Sequence, residues 1–166
     1  MPRFLAWPGR PTRLVSILAW ATCLPAAPAL AAGLPPARDL PAEAGEAADS
    51  GQPLVVMFSR RDCSWCEQVR RLHLAPLARE KAGPVPVRQV DIDRGTPLVD
   101  PQGRATTHRA YARGAGVRLV PTVFFLGPDG RQVAEPIVGA VGSDFYGAYL
   151  ERGIEQGRRR VAEDRK

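Results

Sequence analysis

Five consecutive apolar residues, Leu54-Val55-Val56-Met57-Phe58, rich in β-branched side chains, predict a strand covered on both faces. From Ser64 the period changes: Val69 and Leu72 follow at helical spacing, and Leu74-Ala75-Pro76-Leu77 marks a break before a second helical piece ending at Gly83. Pro84 and Pro86 bound a second strand, Val85 to Ile92. Arg94 to Thr107 reads as a turn-rich loop and His108 to Gly114 as a short helix. Leu119 to Leu126 and Arg131 to Val138, joined by Gly127-Pro128-Asp129-Gly130, predict an antiparallel hairpin with Phe124 and Phe125 in the core. Ser143 is placed to cap a last helix that turns Phe145, Tyr149 and Leu150 to the core and leaves the charged stretch from Glu151 in solvent. Upstream, Leu34 to Arg38 reads as linker, and Asp39 caps a helix from Leu40 to Ser50, with Pro41 tolerated in the first turn and Gly51 as terminator. The order helix, strand, helix, strand, helix, hairpin, helix predicts an α/β sandwich with a mixed sheet, its early strands linked by a helical crossover and its last pair antiparallel.

Composition narrows this to one domain: 166 residues, 45% of them hydrophobic, supply one core. The first 31 residues read as an export signal rather than as part of the fold. Arg3, Arg10 and Arg13 precede an apolar run from Leu14 to Leu24, and Ala29-Leu30-Ala31 has the small-x-small spacing of a cleavage site. That run is 11 residues long, well short of the roughly 20 that span a bilayer, and Trp20-Ala21-Thr22 before Cys23 lacks the aliphatic residue of a lipoprotein signal. The expected division is therefore signal 1–31, linker and short helix 32–53, folded domain 54–157 and charged tail 158–166. Cleavage would leave 20 of the 23 basic residues against 17 acids, a net charge of +3 in place of +6. Such a charge gives no reason to expect a nucleic-acid partner. Cleavage also leaves Cys63 and Cys66 as the only cysteines, in an oxidising compartment where so close a pair forms a disulfide or is actively kept reduced.

"RRDCSWCE", Arg60 to Glu67, carries the candidate chemistry. Cysteines at i and i+3 share a helical face and close a very short disulfide loop. Cys63 sits at the helix entrance, where unpaired N–H groups and the macrodipole favour a thiolate, the nucleophile of disulfide exchange. Cys66, one turn further in, is the resolving partner. Other readings are weaker. A structural disulfide over so short a loop stabilises little, because the effect grows with loop length. A metal site would have to draw on His73 or His108, the only histidines, with no recognised spacing. Attached haem needs a histidine where Glu67 stands. His73 reads as a helix-surface residue rather than a base.

Strand, Cys-x-x-Cys, helix, then Val120-Pro121-Thr122 opening a hairpin and Val138-Gly139-Ala140 after it, resemble the thioredoxin superfamily over Leu54 to Gln156. The resemblance implies a three-layer sandwich with a mixed central sheet, a dithiol-disulfide activity and no bound cofactor. It implies a cis Pro121 beside the sulfurs, Val120 offering its backbone to an extended disulfide-containing protein substrate, and Gly139 leaving room for that substrate; Trp65 reads as exposed at the rim and as a candidate substrate contact. The export signal, the "CEQVRRLHL" helix and the "DIDRGTPLVDPQGR" segment are most similar to periplasmic thioredoxin-like proteins of the SoxW group, which implies a periplasmic location; a reductase acting there must be recharged, and a membrane protein with its own cysteine pair is the expected electron donor. The chain departs from thioredoxin itself at Asp62, at Ser64-Trp65 and at Met57, where thioredoxin has Trp, Gly-Pro and a buried Asp. Asp62 and Glu67 raise the Cys63 pKa while Arg60, Arg61 and the helix terminus lower it. The strong oxidants of the superfamily carry His where Trp65 stands, so the expectation leans to a reductase or electron carrier, with a disulfide oxidase or isomerase, or a non-catalytic binding module, as alternatives.

Overall fold

The computed structural model describes residues 33–80, 83–140 and 145–166; the expected export signal and Ser143 lie outside them. β1 (Leu54–Ser59) is buried at every position. It pairs in parallel with β2 (Val87–Asp91) on one side and antiparallel with β5 (Thr122–Leu126) on the other, and the two-residue β6 (Ile137–Val138) completes the order β2-β1-β5-β6. Around this mixed sheet lie α1 (Leu40–Asp49), α2 (Ser64–Val69), a π-helical segment Arg70–Leu74 continuing into α3 (Ala75–Leu77), α4 (His108–Gly114) and α5 (Tyr146–Asp164).

Alternation along β1 decides what each layer touches. Leu54, Val56 and Phe58 pack with Leu40, Ala44 and Ala47 of α1 and with Ala112 of α4; Val55 and Met57 pack with Cys66, Val69 and Leu74 and with Tyr146, Leu150 and Ile154 of α5. Two helical layers therefore sandwich the sheet, as expected. Each fully buried large side chain contributes about 1.5–3 kcal/mol, and Phe58, edge-on to Phe124 at 4.7 Å, anchors the α1 side.

Several details differ from the sequence reading. Leu34 to Arg38 is not a linker. Ala37 N–H donates to the Gln89 carbonyl and Gln89 N–H to that of Pro35, both at 2.9 Å, so this strap pairs in parallel along the open edge of β2. The strap and α1 belong to the domain, although the expected boundary falls at residue 54. The π-helical segment inserts one residue into the helical phase, and Leu74 is buried while Leu72, at helical spacing from Val69, is exposed. On α5, Phe145 and Tyr149 are exposed and Tyr146 and Leu150 buried. The helix runs through most of the expected tail, with Val161 fully buried. The second half of the expected hairpin is mostly irregular: a single bridge joins Leu126 to Gln132, and the chain rejoins the sheet only at Ile137, after Pro136, which has no N–H to give a ladder.

The 94–107 segment, expected as a loop, is a built hairpin of β3 (Pro97–Val99) and β4 (Ala105–Thr107). Asp100 holds its turn, accepting the N–H groups of Gln102 and Arg104 at 3.0 Å each and Arg104 Nε at 2.9 Å. Burial alone would raise the Asp100 pKa, but these bonds outweigh it and hold the carboxyl below its ordinary value. A carboxyl held low in the fold takes up its proton later than in the unfolded chain, so its contribution is present above the unfolded value near pH 4 and is lost as pH falls through the folded one. Asp100→Asn is expected to be less stable than wild type at pH 7 and to lose less further stability on acidification; denaturant midpoints measured from pH 7 to 3 check this, and parallel losses in both proteins would refute it.

Candidate active site

β1 ends at Ser59, and Arg60 to Asp62 turn the chain into α2. Asp62 adopts φ 55°, a left-handed conformation that Asp tolerates better than most residues. The turn delivers Cys63 to the N-cap of α2, where its Sγ accepts the Cys66 N–H at 3.1 Å. Cys63 and Cys66 are joined in a disulfide with Cα atoms 5.2 Å apart. Cys63 is partly exposed, whereas Cys66 is fully buried in the cluster that holds Val55, Met57 and Val69. The two sulfurs are thus unequal: the Cys63 sulfur is the one open to solvent, and the Cys66 N–H donates to it. At the position of thioredoxin's buried acid, Met57 contributes only apolar surface.

The charges around the motif are largely paired off. Arg61 binds Asp93 through its side chain at 3.1 Å and its backbone N–H at 3.3 Å. Burial alone would raise the Asp93 pKa, but these bonds leave it below the ordinary value. Glu67 is tied to Arg70. Arg70, its side chain only 14% exposed, also donates to Ser59 Oγ at 3.2 Å and to Gln89 Oε1 at 2.9 Å, fastening the active-site helix to the end of β1 and the middle of β2. Gln89 passes the chain on to Asp91 Oδ1 at 2.7 Å, and the Asp91 N–H donates to His108 Nδ1 at 3.0 Å. His108 is fully buried; with Nδ1 accepting, its proton sits on Nε2 and is given to the Ala37 carbonyl at 2.8 Å. Both of its nitrogens are engaged. His73 instead packs against Tyr146, the rings tilted at 37° with centroids 5.0 Å apart, and burial lowers its pKa. Arg70, Gln89 and Asp91 are the site residues that sequence reasoning missed; the one local signal was the i,i+3 spacing of Glu67 and Arg70.

On the opposite flank, Phe58 lies across from Thr122, which puts Val120-Pro121 at the end of the sheet from which the Cys63 turn leaves. The Val120–Pro121 peptide is cis, and Pro121 is buried. Its carbonyl accepts the Gly139 N–H at 2.8 Å, with Gly139 at φ 78°, a conformation that favours glycine. Trp65 and Leu119 stand exposed at 56% and 63%. The structure therefore brings Cys63 and Cys66 into one bonded pair and Pro121 and Gly139 into another, at the same end of the sheet.

A central strand running into a helix-capping disulfide, beside an antiparallel strand that opens on a cis proline, is an arrangement of the thioredoxin type. Residues 40–154 match the family of thioredoxin-like domains, and the chain belongs to that family. No curated protein matches it. Among solved structures, a poplar thioredoxin h is 22% identical, covering 67% of this chain and 85% of its own, with a TM-score of 0.48. Mitochondrial thioredoxin 3 of Saccharomyces cerevisiae, in its oxidised form, is 22% identical over 74% of this chain and 93% of its own, with a TM-score of 0.49. The periplasmic thioredoxin SoxS of Paracoccus pantotrophus, in its reduced form, is 19% identical over 63% of this chain and 97% of its own, with a TM-score of 0.44.

Proposed function

We propose that this protein is an exported thiol-disulfide oxidoreductase that reduces disulfides of protein substrates, or relays electrons to them, through a Cys63/Cys66 dithiol-disulfide cycle. The observation that carries the reading is the asymmetry of the pair: Cys63 caps α2 in partial contact with solvent while Cys66 is wholly buried behind it. Cys63 attacks a substrate sulfur, the displaced thiolate leaves, and Cys66 then attacks Cys63 to release the second substrate thiol. Among the described residues the N–H and C=O of Val120 have no hydrogen-bond partner, so they are open to an extended substrate strand running between Trp65 and the Pro121–Gly139 pair. The signal-like segment supports a periplasmic site of action, and there a membrane protein with its own cysteine pair is the electron donor we propose. The narrower kinship to the SoxW group rests on the sequence of α2 and of the 91–104 segment.

Direction is read from the potential of the pair. Equilibration with glutathione buffers, with the dithiol fraction followed by alkylation, is expected to give a value of about −270 mV, as for thioredoxin, because Trp65 supplies no cation to stabilise the reduced form. A value of about −120 mV would overturn the reductase reading in favour of the oxidase.

A further inference from the structure

The sheet order gives Cys63 two flanks: the Pro121 loop on the β5 side and, on the β2 side, a separate cleft of about 540 Å³. This second cleft is polar and includes four arginines. Three are matched within the protein, Arg61 by Asp93, Arg70 by Glu67 and Arg94 by Asp91 at 3.7 Å. The lining charges without an ion-pair partner among the described residues are Arg60 and Asp62, both exposed and both in the turn that leads into Cys63. One unmatched cation and one unmatched anion beside a nucleophilic sulfur are complementary to a small zwitterion. A wholly anionic ligand would face Asp62, and a wholly cationic one Arg60.

We propose that this cleft admits a small disulfide of the cystine type, its α-carboxylate received by Arg60 and its α-ammonium by Asp62, with one sulfur presented to Cys63. This rests on the reading of Cys63 as nucleophile and gives that sulfur a second substrate class beside protein disulfides. The Cys63 thiolate attacks one cystine sulfur, the cystine S–S bond breaks, and one cysteine leaves as a thiolate that takes up a proton. Cys66 then attacks Cys63, the second cysteine leaves, and the Cys63–Cys66 disulfide re-forms. Two electrons pass from the protein to cystine, which becomes two cysteines.

Four disulfides separate the two charges: L-cystine carries both, 3,3′-dithiodipropionate only carboxylates, cystamine only ammonium groups, and bis(2-hydroxyethyl) disulfide neither. Pre-reduced protein is mixed with each at about 0.15 M salt, where distant charges are screened, and loss of protein thiols is followed by quenched flow. Rates are taken relative to the uncharged disulfide, which cancels any change in the Cys63 thiolate itself. Arg60→Gln is expected to lower the relative rates of L-cystine and dithiodipropionate roughly threefold without lowering that of cystamine; Asp62→Asn, which keeps the left-handed turn, is expected to do the same to L-cystine and cystamine but not to dithiodipropionate. Relative rates that do not move in this crossed pattern overturn the proposal and leave the exchange reading standing. Failure of the wild-type dithiol to react with any of the four overturns both.

Discussion

Cys63→Ser is expected to abolish reduction of any disulfide substrate, while Cys66→Ser reacts once and stays attached to what it attacked. The difference follows from the order of the two exchanges. Without the Cys63 sulfur there is no accessible thiolate, because Cys66 is fully buried, and a serine hydroxyl does not ionise at neutral pH. Without Cys66 the first exchange is expected to proceed, since the N–H that donates to the Cys63 sulfur belongs to the backbone of residue 66 and survives the substitution. The mixed disulfide then has no internal thiol to resolve it. Insulin reduction with dithiothreitol as donor measures turnover, and non-reducing gels or intact mass measure the trapped adduct. Both variants are expected to unfold close to the wild type, because a disulfide closing a three-residue separation removes little chain entropy. Cys63→Ser with turnover intact would exclude the dithiol cycle. Turnover lost together with the folded state in either variant would show that the disulfide is structural.

The legibility of this site had a physical limit. β1 and the core of β5 could be read because a strand covered on both faces must be apolar at every position, and that is a local signal. The placement of Cys63 was readable for a related reason: strand, turn and helix follow one another in sequence, so the N-cap lies where the local pattern puts it. Arg70 was not readable in the same way. Its partners Ser59 and Gln89 stand on two different strands, and only the register of β1 on β2 brings them together. The strap at Leu34–Arg38 offered even less. It pairs through backbone groups, to which its side chains give no clue, and its two prolines resemble those of a linker. His108 was no more legible: it is a buried strut whose partners, the Asp91 N–H and the Ala37 carbonyl, are main-chain groups 17 and 71 residues away.

α5 shows the same limit on packing and supports the second large effect, Gly153→Val, which is expected to destabilise the fold by about 3 kcal/mol or more. The buried face of the helix is Tyr146, Leu150, Gly153, Ile154, Gly157 and Val161. Two of these six are glycines, so hydrophobic periodicity under-reports the face, and Phe145 and Tyr149 attract attention although they point to solvent. The glycines let the helix backbone come close to the sheet: a Cβ on Gly153 would lie 2.3 Å from the tip of the Phe125 ring, and one on Gly157 2.7 Å from Pro53. Phe125 is fully buried in the same cluster as Cys66, so its ring cannot swing out of the way. Helix propensity alone would favour replacing a glycine, by up to about 1 kcal/mol for alanine. Gly147, whose added Cβ would meet only His73 Nδ1 at an ordinary 3.8 Å, tests that contribution without the clash. Gly147→Ala is therefore expected to be neutral or mildly stabilising, Gly153→Ala destabilising despite the same gain, and Gly153→Val worse. Phe125→Leu combined with Gly153→Ala should recover part of the loss, with a coupling energy of about 0.5–3 kcal/mol in a double-mutant cycle. Urea midpoints measure all of these. Equal responses at positions 147 and 153 would show that the close approach of α5 to β5 is not what glycine is there to permit.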